Sequence, residues 1–301
     1  MTTKRPKPAV EAPVEESLAL APDGTRLYVR RRSGPSEVTA VLCDGLVCDG
    51  FIYKYLWEDL RERVSVAHWH YRGHGRSARP VDPALVSVEA HAADLNAVRA
   101  HIGDPSVVLV GHSFGTQVLL EAYRARPEKI KAMVFLCGSF GRVTQTFHNT
   151  NLLATVLPSL IDLAEKRPRL AQALWSRVPA RAALRIALLT GEVDPKSVEE
   201  ADMEPYFRHV VHVDFRMFLR MLSHAGEHTA EDLLPHVDVP VLVVAGDRDT
   251  FTPADISCTM AERIPGAELL LIPGATHVAP LEKKDLVAAK IAEFLHQRGI
   301  C

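Results

Sequence analysis

A chain of 301 residues, 47% apolar and 24% charged, is long enough to bury one large core with room for an inserted subdomain. Its formal net charge of −2 excludes the basic surface that nucleic acid, or a strongly anionic membrane, would require. The five cysteines (Cys43, Cys48, Cys137, Cys258 and Cys301) are odd in number, widely spread and without a Cys-x-x-Cys pair. They make a poor disulfide framework and no zinc motif, and they read as reduced thiols in a cytoplasmic protein.

In chain order, "MTTKRPKPAVEAPVEE" has basic residues but no apolar stretch or cleavage site. It is expected to be a flexible tail over residues 1–16 and not a signal peptide. "SLALAPDGTRLYVRRR" predicts a hairpin turning at Asp23-Gly24. "TAVLCDG", "SVAHWHYRG", "SVVLVGHS", "AMVFLCGS", "VPVLVVAGD" and "AELLLIPGA" then follow, each an apolar run ending in glycine or a polar residue. Buried parallel strands have this form, because both faces of such a sheet are covered. Helical patterns lie between them. Asp49 is a candidate cap for "GFIYKYLWEDLRERV", and "VSVEAHAADLNAVRAHIG" and "LEKKDLVAAKIAEFLHQRG" are each stopped by glycine. The alternation predicts an α/β fold: a mostly parallel central sheet with helices on both faces.

Between Phe140 and about Val237 the alternation fails. "LATVLPSLIDLAEK", "RLAQALWSRV" and "ARAALRIALLTG" are helical, and the aromatic- and Met-rich "EPYFRHVVHVDFRMFLRMLSHAG" follows. The expectation is a helical insertion over 142–229 with a small core of its own, able to roof a site. The core then comprises 17–141 and 230–301. No stretch is long and apolar enough to span a bilayer.

The chemistry concentrates at "VVLVGHSFGTQVLLEAY". Gly111, His112, Ser113, Phe114 and Gly115 form Gly-x-Ser-x-Gly between a strand and a helix, a turn that projects the serine oxygen above the strand ends. The helix behind it offers free N–H groups to a developing negative charge. A serine nucleophile needs a base, and the base needs an orienting acid. "VLVVAGDRDTFTP" supplies two acids, Asp247 and Asp249, and "LLLIPGATHVAP" supplies His277; both follow late strands.

These segments, from Leu18 to Arg298, resemble the α/β-hydrolase fold family, in its serine esterase or lipase-like form with a helical cap after the sixth strand. The family's Gly-x-x-Asp-x-x-x-Pro pattern, laid on Gly246, Asp249 and Pro253, selects Asp249 and leaves Asp247 as a turn residue. Of the 14 histidines, His277 alone follows the last strand in a glycine-containing loop, and it is the expected base. His70 and His74, in "HYRGHGRS", resemble a structural loop of the family. His112 is expected to flank the nucleophile, and His209, His212, His224 and His228 to belong to the insertion. The resemblance places one oxyanion donor at the Phe114 N–H and the other at the Leu46 N–H. There the family usually has His-Gly, and this chain has Asp44-Gly45, so Asp44 is expected to point away, towards Arg72 or a backbone N–H.

The implied activity is hydrolysis of a small, mainly apolar carboxylic ester or lactone through an acyl-enzyme, with no cofactor and no metal. Thioesterase, acyltransferase or perhydrolase chemistry with the same three residues is the alternative, as is a ligand-binding sensor of the same fold with slow turnover. A dinucleotide site is disfavoured, because "GHSFG" lacks the Gly-x-Gly-x-x-Gly spacing.

Overall fold

The computed structural model describes residues 12–146, 150–179, 182, 184, 185, 187, 193, 194 and 196–301. The first eleven residues of the expected tail and most of the helix expected over 180–191 lie outside the described residues. The chain opens with strands β1 (Glu15–Leu20), β2 (Arg26–Arg32) and β3 (Thr39–Cys43), helix α1 (Lys54–Leu60) and strand β4 (Ser65–Trp69). Helix α2 (Val88–His101), strand β5 (Val107–His112), helix α3 (Phe114–Ala125) and strand β6 (Ile130–Leu136) complete the first part. After the helices that follow β6 come β7 (Val241–Gly246) and β8 (Glu268–Ile272).

The eight strands form one sheet in the order β1-β2-β4-β3-β5-β6-β7-β8. β1 and β2 form an antiparallel hairpin and β2 pairs antiparallel with β4; every other pairing is parallel. β1 begins at Glu15, two residues inside the expected tail. Its acidic residues read as tail-like by composition, but Glu16 accepts hydrogen bonds from Tyr28 Oη at 2.7 Å and Arg76 Nη1 at 2.7 Å.

The central strands alternate between two cores, as a sheet covered on both faces must. On β5, Val107 and Leu109 face one core, while Val108 and Val110 face the other. β6 and β7 repeat the alternation with Met133 and Phe135 against Val134 and Leu136, and Val241 and Val243 against Leu242 and Val244. All of these side chains are fully buried, and each contributes roughly 1.5–3 kcal/mol relative to exposure. α2 and α3 cover the first core, and α1 and the last described helix (Lys284–Gln297) the second. Ser87 caps α2 by accepting from Ala90 N–H at 3.3 Å. Asp49 does not cap the helix after it. Gly50, at a left-handed φ of 94°, starts a short 3-10 turn over Phe51–Tyr53 instead. Cys43 and Cys137 are wholly buried, as small apolar residues are, and all five cysteines are free.

Between β6 and β7 the described residues include helices α4 (Val143–Thr146), α5 (Leu152–Lys166), α6 (Pro168–Trp175), α7 (Glu200–Val210) and α8 (Phe215–Glu227). Leu157, Ala164 and Leu219 form a small core there, and Trp175 stacks on Phe215 and Phe218 at 4.8 and 5.5 Å. The other face of α8 joins the main core through Met217, Met221 and Ala225. No described helix is long and apolar enough to cross a membrane.

Candidate active site

The carboxyl ends of β3, β5, β7 and β8 bring the site together. At the end of β5, Ser113 takes φ 53° and ψ −119°, a conformation costly for a residue with a side chain. Its N–H donates to Leu136 O at 2.9 Å, and its carbonyl accepts from Thr116 N–H at 3.0 Å, so strand and helix fix it from both sides. The two flanking glycines are needed for close approach. A Cβ on Gly111 would lie 2.8 Å from the Gly115 carbonyl carbon, and one on Gly115 would meet Cys43 O and, at 2.8 Å, Asp44 O. α3 therefore starts directly against the turn that follows β3.

After β8, His277 faces Ser113 with Nε2 2.9 Å from Oγ. Its Nδ1 lies 2.9 Å from Oδ2 and 3.1 Å from Oδ1 of Asp249. A carboxylate accepts, so Nδ1 carries the proton and the Nε2 lone pair points at the serine. Asp249 is fully buried. Its Oδ1 also accepts from Phe251 N–H and Thr252 N–H, both at 2.9 Å. Thr252 Oγ1 lies 2.8 Å from both Asp249 Oδ2 and Cys137 O, and its single proton serves one of them at a time. Asp247 is exposed, and its Oδ1 accepts from Gly274 N–H at 2.7 Å. That is a turn contact, and it holds the loop leading to His277.

His112 is buried beside the pair, its ring centroid 4.9 Å from that of His277. Burial pushes its imidazole down to about 3, so it is neutral, and Nε2–H donates to the His277 carbonyl at 3.0 Å. It thus lies beside the serine and grips the backbone of His277. His70 and His74 belong to a bonded loop: His70 Nδ1 accepts from Arg76 N–H at 2.8 Å, and His74 Nδ1 donates to Arg72 O at 2.9 Å. His209 of α7 faces Asp49 at 3.6 Å, and His228 faces Glu121 at 2.9 Å. Neither is brought to Ser113.

The turn after β3 lies against Ser113: a Cβ on Gly45 would be 3.2 Å from Ser113 Cβ. Leu46 is partly buried, and its N–H has no acceptor among the described residues. Phe114 N–H is in the opening turn of α3, where helix geometry leaves donors without intrahelical partners. Asp44 does point away, but not towards Arg72. The Arg72 guanidinium is taken by Asp94, at 2.6 and 2.7 Å, and by Asp23 at 3.0 Å, while Asp44 Oδ2 meets His68 Nε2 at 2.8 Å.

Sequence reasoning did not single out Thr252, Glu282 or His68. Glu282 receives Thr276 N–H at 2.7 Å, Thr276 Oγ1 at 2.8 Å and Asp194 N–H at 2.9 Å, which anchors the residue before His277. Thr252 and Glu282 lie three and five residues beyond Asp249 and His277, close enough to inspect but without a pattern that marks them. Among the described residues, no group of three or more His, Cys, Asp or Glu side chains is placed to hold a metal ion. The arrangement is chemically suited to proton transfer between a serine hydroxyl and a neutral imidazole.

Residues 51–284 match the family described as alpha/beta hydrolase fold. The chain is similar to the uncharacterized hydrolase YugF of Bacillus subtilis strain 168, with 23% identity over 91% of this chain and 95% of that protein. It is similar to a pimeloyl-[acyl-carrier protein] methyl ester esterase of Neisseria meningitidis serogroup A, with 27% identity over 90% of this chain and 81% of that one. Among solved structures, the esterase RhEst1 of a Rhodococcus species superposes with a TM-score of 0.75 at 20% identity, covering 93% of this chain and 98% of the esterase.

Proposed function

Because the chain belongs to the alpha/beta hydrolase fold family, we propose that it hydrolyses a carboxylic ester or lactone through an acyl-enzyme. Ser113 is the nucleophile, His277 the general base and Asp249 the orienting acid. The observation that carries this reading is the unbroken line of contacts from Asp249 Oδ2 through both ring nitrogens of His277 to Ser113 Oγ, each 2.9 Å long. The esterase activity named for the Neisseria relative is in keeping with it.

In acylation, Ser113 Oγ attacks the acyl carbon while its proton passes to His277 Nε2. The oxyanion that forms is received by the N–H groups of Phe114 and Leu46. Collapse of the tetrahedral species breaks the acyl–oxygen bond, and Nε2 returns the proton to the leaving alkoxide. A lactone's alcohol stays tethered to the acyl group. Water, giving its proton to the same nitrogen, then releases the acid and restores the serine. Asp249 holds the imidazole in the reactive tautomer throughout and stabilises the imidazolium.

We take 142–229 as a cap over the strand ends, joined to a core of 17–141 and 230–301, and a small, mainly apolar molecule as the substrate. The five free thiols lead us to assign the protein to the cytoplasm. The experiment combines a fluorophosphonate probe with turnover of p-nitrophenyl esters from acetate to octanoate. Labelling that maps to Ser113 together with ester turnover is the expected result. Labelling without turnover turns the reading to a sensor, and no labelling of folded protein overturns it.

A further inference from the structure

The turn that carries Leu46 is held by side chains the acyl-enzyme scheme does not use. Tyr53 Oη donates to the Cys43 carbonyl, Tyr71 Oη donates to the Asp44 carbonyl at 2.7 Å, and Cys48 N–H reaches Gly45 O at 3.4 Å. The Asp44 side chain turns into the fold and meets His68 Nε2 at 2.8 Å, with both side chains wholly buried. The His68 ring has no room to swing: a Cβ on the adjoining Gly50 would lie 2.6 Å from its Cε1. His68 Nδ1 is buried without a hydrogen-bond partner among the described residues, and the Gly50 N–H lies beside the Asp44 carboxyl. A structural hydrogen bond is ordinarily satisfied at both ends. A pair with one ring nitrogen left unsatisfied, two residues from the proposed oxyanion donor, is the kind of polar contact that function maintains.

We propose that Asp44 and His68 form a buried proton-sharing pair that positions the Asp44–Leu46 turn, and that a negative charge on Asp44 opposes the oxyanion formed at Ser113. The proposal rests on the reading of Ser113 as nucleophile and Leu46 N–H as donor. Asp44 is a positioning residue in this scheme, since it acts through the turn and touches no substrate.

The charges around the pair set its direction. Burial pushes the Asp44 carboxyl up to about 7, against the pull of Arg30 and of the Gly50 backbone N–H. Burial drives His68 well below the ordinary histidine range, with Arg30 adding to the effect. His70 on the same strand is held down to about 3 by burial, and His209 of α7 is lowered by burial too, so both are neutral near pH 7. Asp49, in the loop after the turn, is raised by burial and drawn back by His209. The thiols of Cys43 and Cys48 and the phenols of Tyr53 and Tyr71 are all pushed up by burial and carry no charge there. Arg30 of β2 is the cation of the group. Below neutrality Asp44 therefore donates its proton to His68 Nε2. Above it, the contact survives as His68 Nε2–H donating to a carboxylate, and the turn acquires a negative charge behind the oxyanion donor.

The test is kcat and KM from pH 5 to 9, with an uncharged short-chain ester, for the parent, Asp44→Asn and Asp44→Ala. The parent is expected to lose kcat on the alkaline side, as Asp44 ionises. Asp44→Asn keeps a donor for His68 Nε2 but cannot ionise, so its alkaline limb should disappear with KM within about twofold. Asp44→Ala should lose about tenfold or more in kcat at every pH, since a single oxyanion donor is worth roughly 10²–10³. If the alanine variant does not fold, the asparagine variant decides alone. A merely structural Asp44 would lower the melting temperature and leave the alkaline limb in place. An unchanged alkaline limb in Asp44→Asn, or none in the parent, overturns the proposal. Stoichiometric fluorophosphonate labelling of Ser113 together with ester turnover in the same samples would leave the Ser113–His277 reading standing, so the two failures are distinguishable.

Discussion

Replacing Asp249 by asparagine tests the proton relay at its most constrained point. The environment dictates which way the new amide must face. Oδ1 receives two backbone N–H groups, from Phe251 and Thr252 at 2.9 Å, so the amide oxygen has to occupy that position. The amide nitrogen then takes the place of Oδ2, 2.9 Å from His277 Nδ1. Turning the amide over would set its N–H₂ against two backbone donors and leave them unsatisfied, at about 1–3 kcal/mol each. With a donor facing it, Nδ1 must accept, the ring proton moves to Nε2, and the nitrogen facing Ser113 has no lone pair to offer. The geometry is kept and the base is lost. A tautomer error of this kind costs about 10⁴-fold in kcat, or about 5.5 kcal/mol of transition-state stabilisation. Asp247→Asn is the control: its amide oxygen can still accept from Gly274 N–H, and kcat should stay within about threefold. The assay is kcat and KM on a short p-nitrophenyl ester, with circular dichroism melts to establish folding. An Asp249→Asn protein within tenfold of the parent, or an Asp247→Asn protein more damaged than it, would refute the reasoning.

Two further outcomes follow from the same geometry. Ser113→Ala should abolish ester turnover while leaving the melting temperature within a few degrees of the parent, and Ser113→Gly should be equally inactive but more stable than the alanine variant by about 1 kcal/mol, because glycine relieves the positive φ; equal stabilities would show that the elbow stores no strain. Stability should also fall as pH drops from 6.5 to 5: burial holds His70, His91 and His112 down to about 3 and His74 down to about 4, so the unfolded chain binds more protons than the folded one. His68, driven well below its ordinary range by burial, adds a fifth such histidine. Asp44 and Asp94, raised to about 7 and about 6, act in the opposite sense, and the net of roughly three protons gives a loss of up to about 4 kcal/mol per pH unit; urea unfolding at both pH values that showed equal or greater stability at pH 5 would contradict it.

What could be read from the sequence, and what could not, divides by range. β3 and β5 to β7 are legible because a strand buried on both faces must be apolar at every position, and its run stops where the chain meets glycine. The serine elbow is legible because it is local: strand, Gly-x-Ser-x-Gly and helix lie within a short stretch. Choosing Asp249 over Asp247 took a family pattern, since both acids follow the same strand and only three-dimensional placement sends one towards His277 and the other to Gly274. The Asp44–His68 pair was beyond reach for a similar reason. Leu42 and His68 are cross-strand partners in the parallel β3–β4 pairing. Asp44, two positions beyond Leu42, returns to the same face. No spacing in the chain encodes that register. The Asp49 expectation failed on a local competition: Gly50 accepts a left-handed φ and starts the 3-10 turn itself.

The abundance of histidine made the base hard to choose, and its physical environment shows what separates one imidazole from the rest. His74, His91 and His112 each give one ring nitrogen to a backbone carbonyl and leave the other buried without a partner among the described residues. A ring held in that way is locked in its neutral form and has nothing to exchange a proton with. His68 has a carboxyl on one side and an orphaned nitrogen on the other. His228 likewise pairs with Glu121 through Nε2 and leaves Nδ1 alone. His277 has a buried carboxylate at Nδ1 and a hydroxyl at Nε2, and its side chain is 13% exposed. That exposure leaves part of the ring open to solvent. The proposal of His277 as the base therefore rests on a partner at each ring nitrogen and a side chain that reaches solvent. Burial, which the sequence suggests well, selects against such a ring.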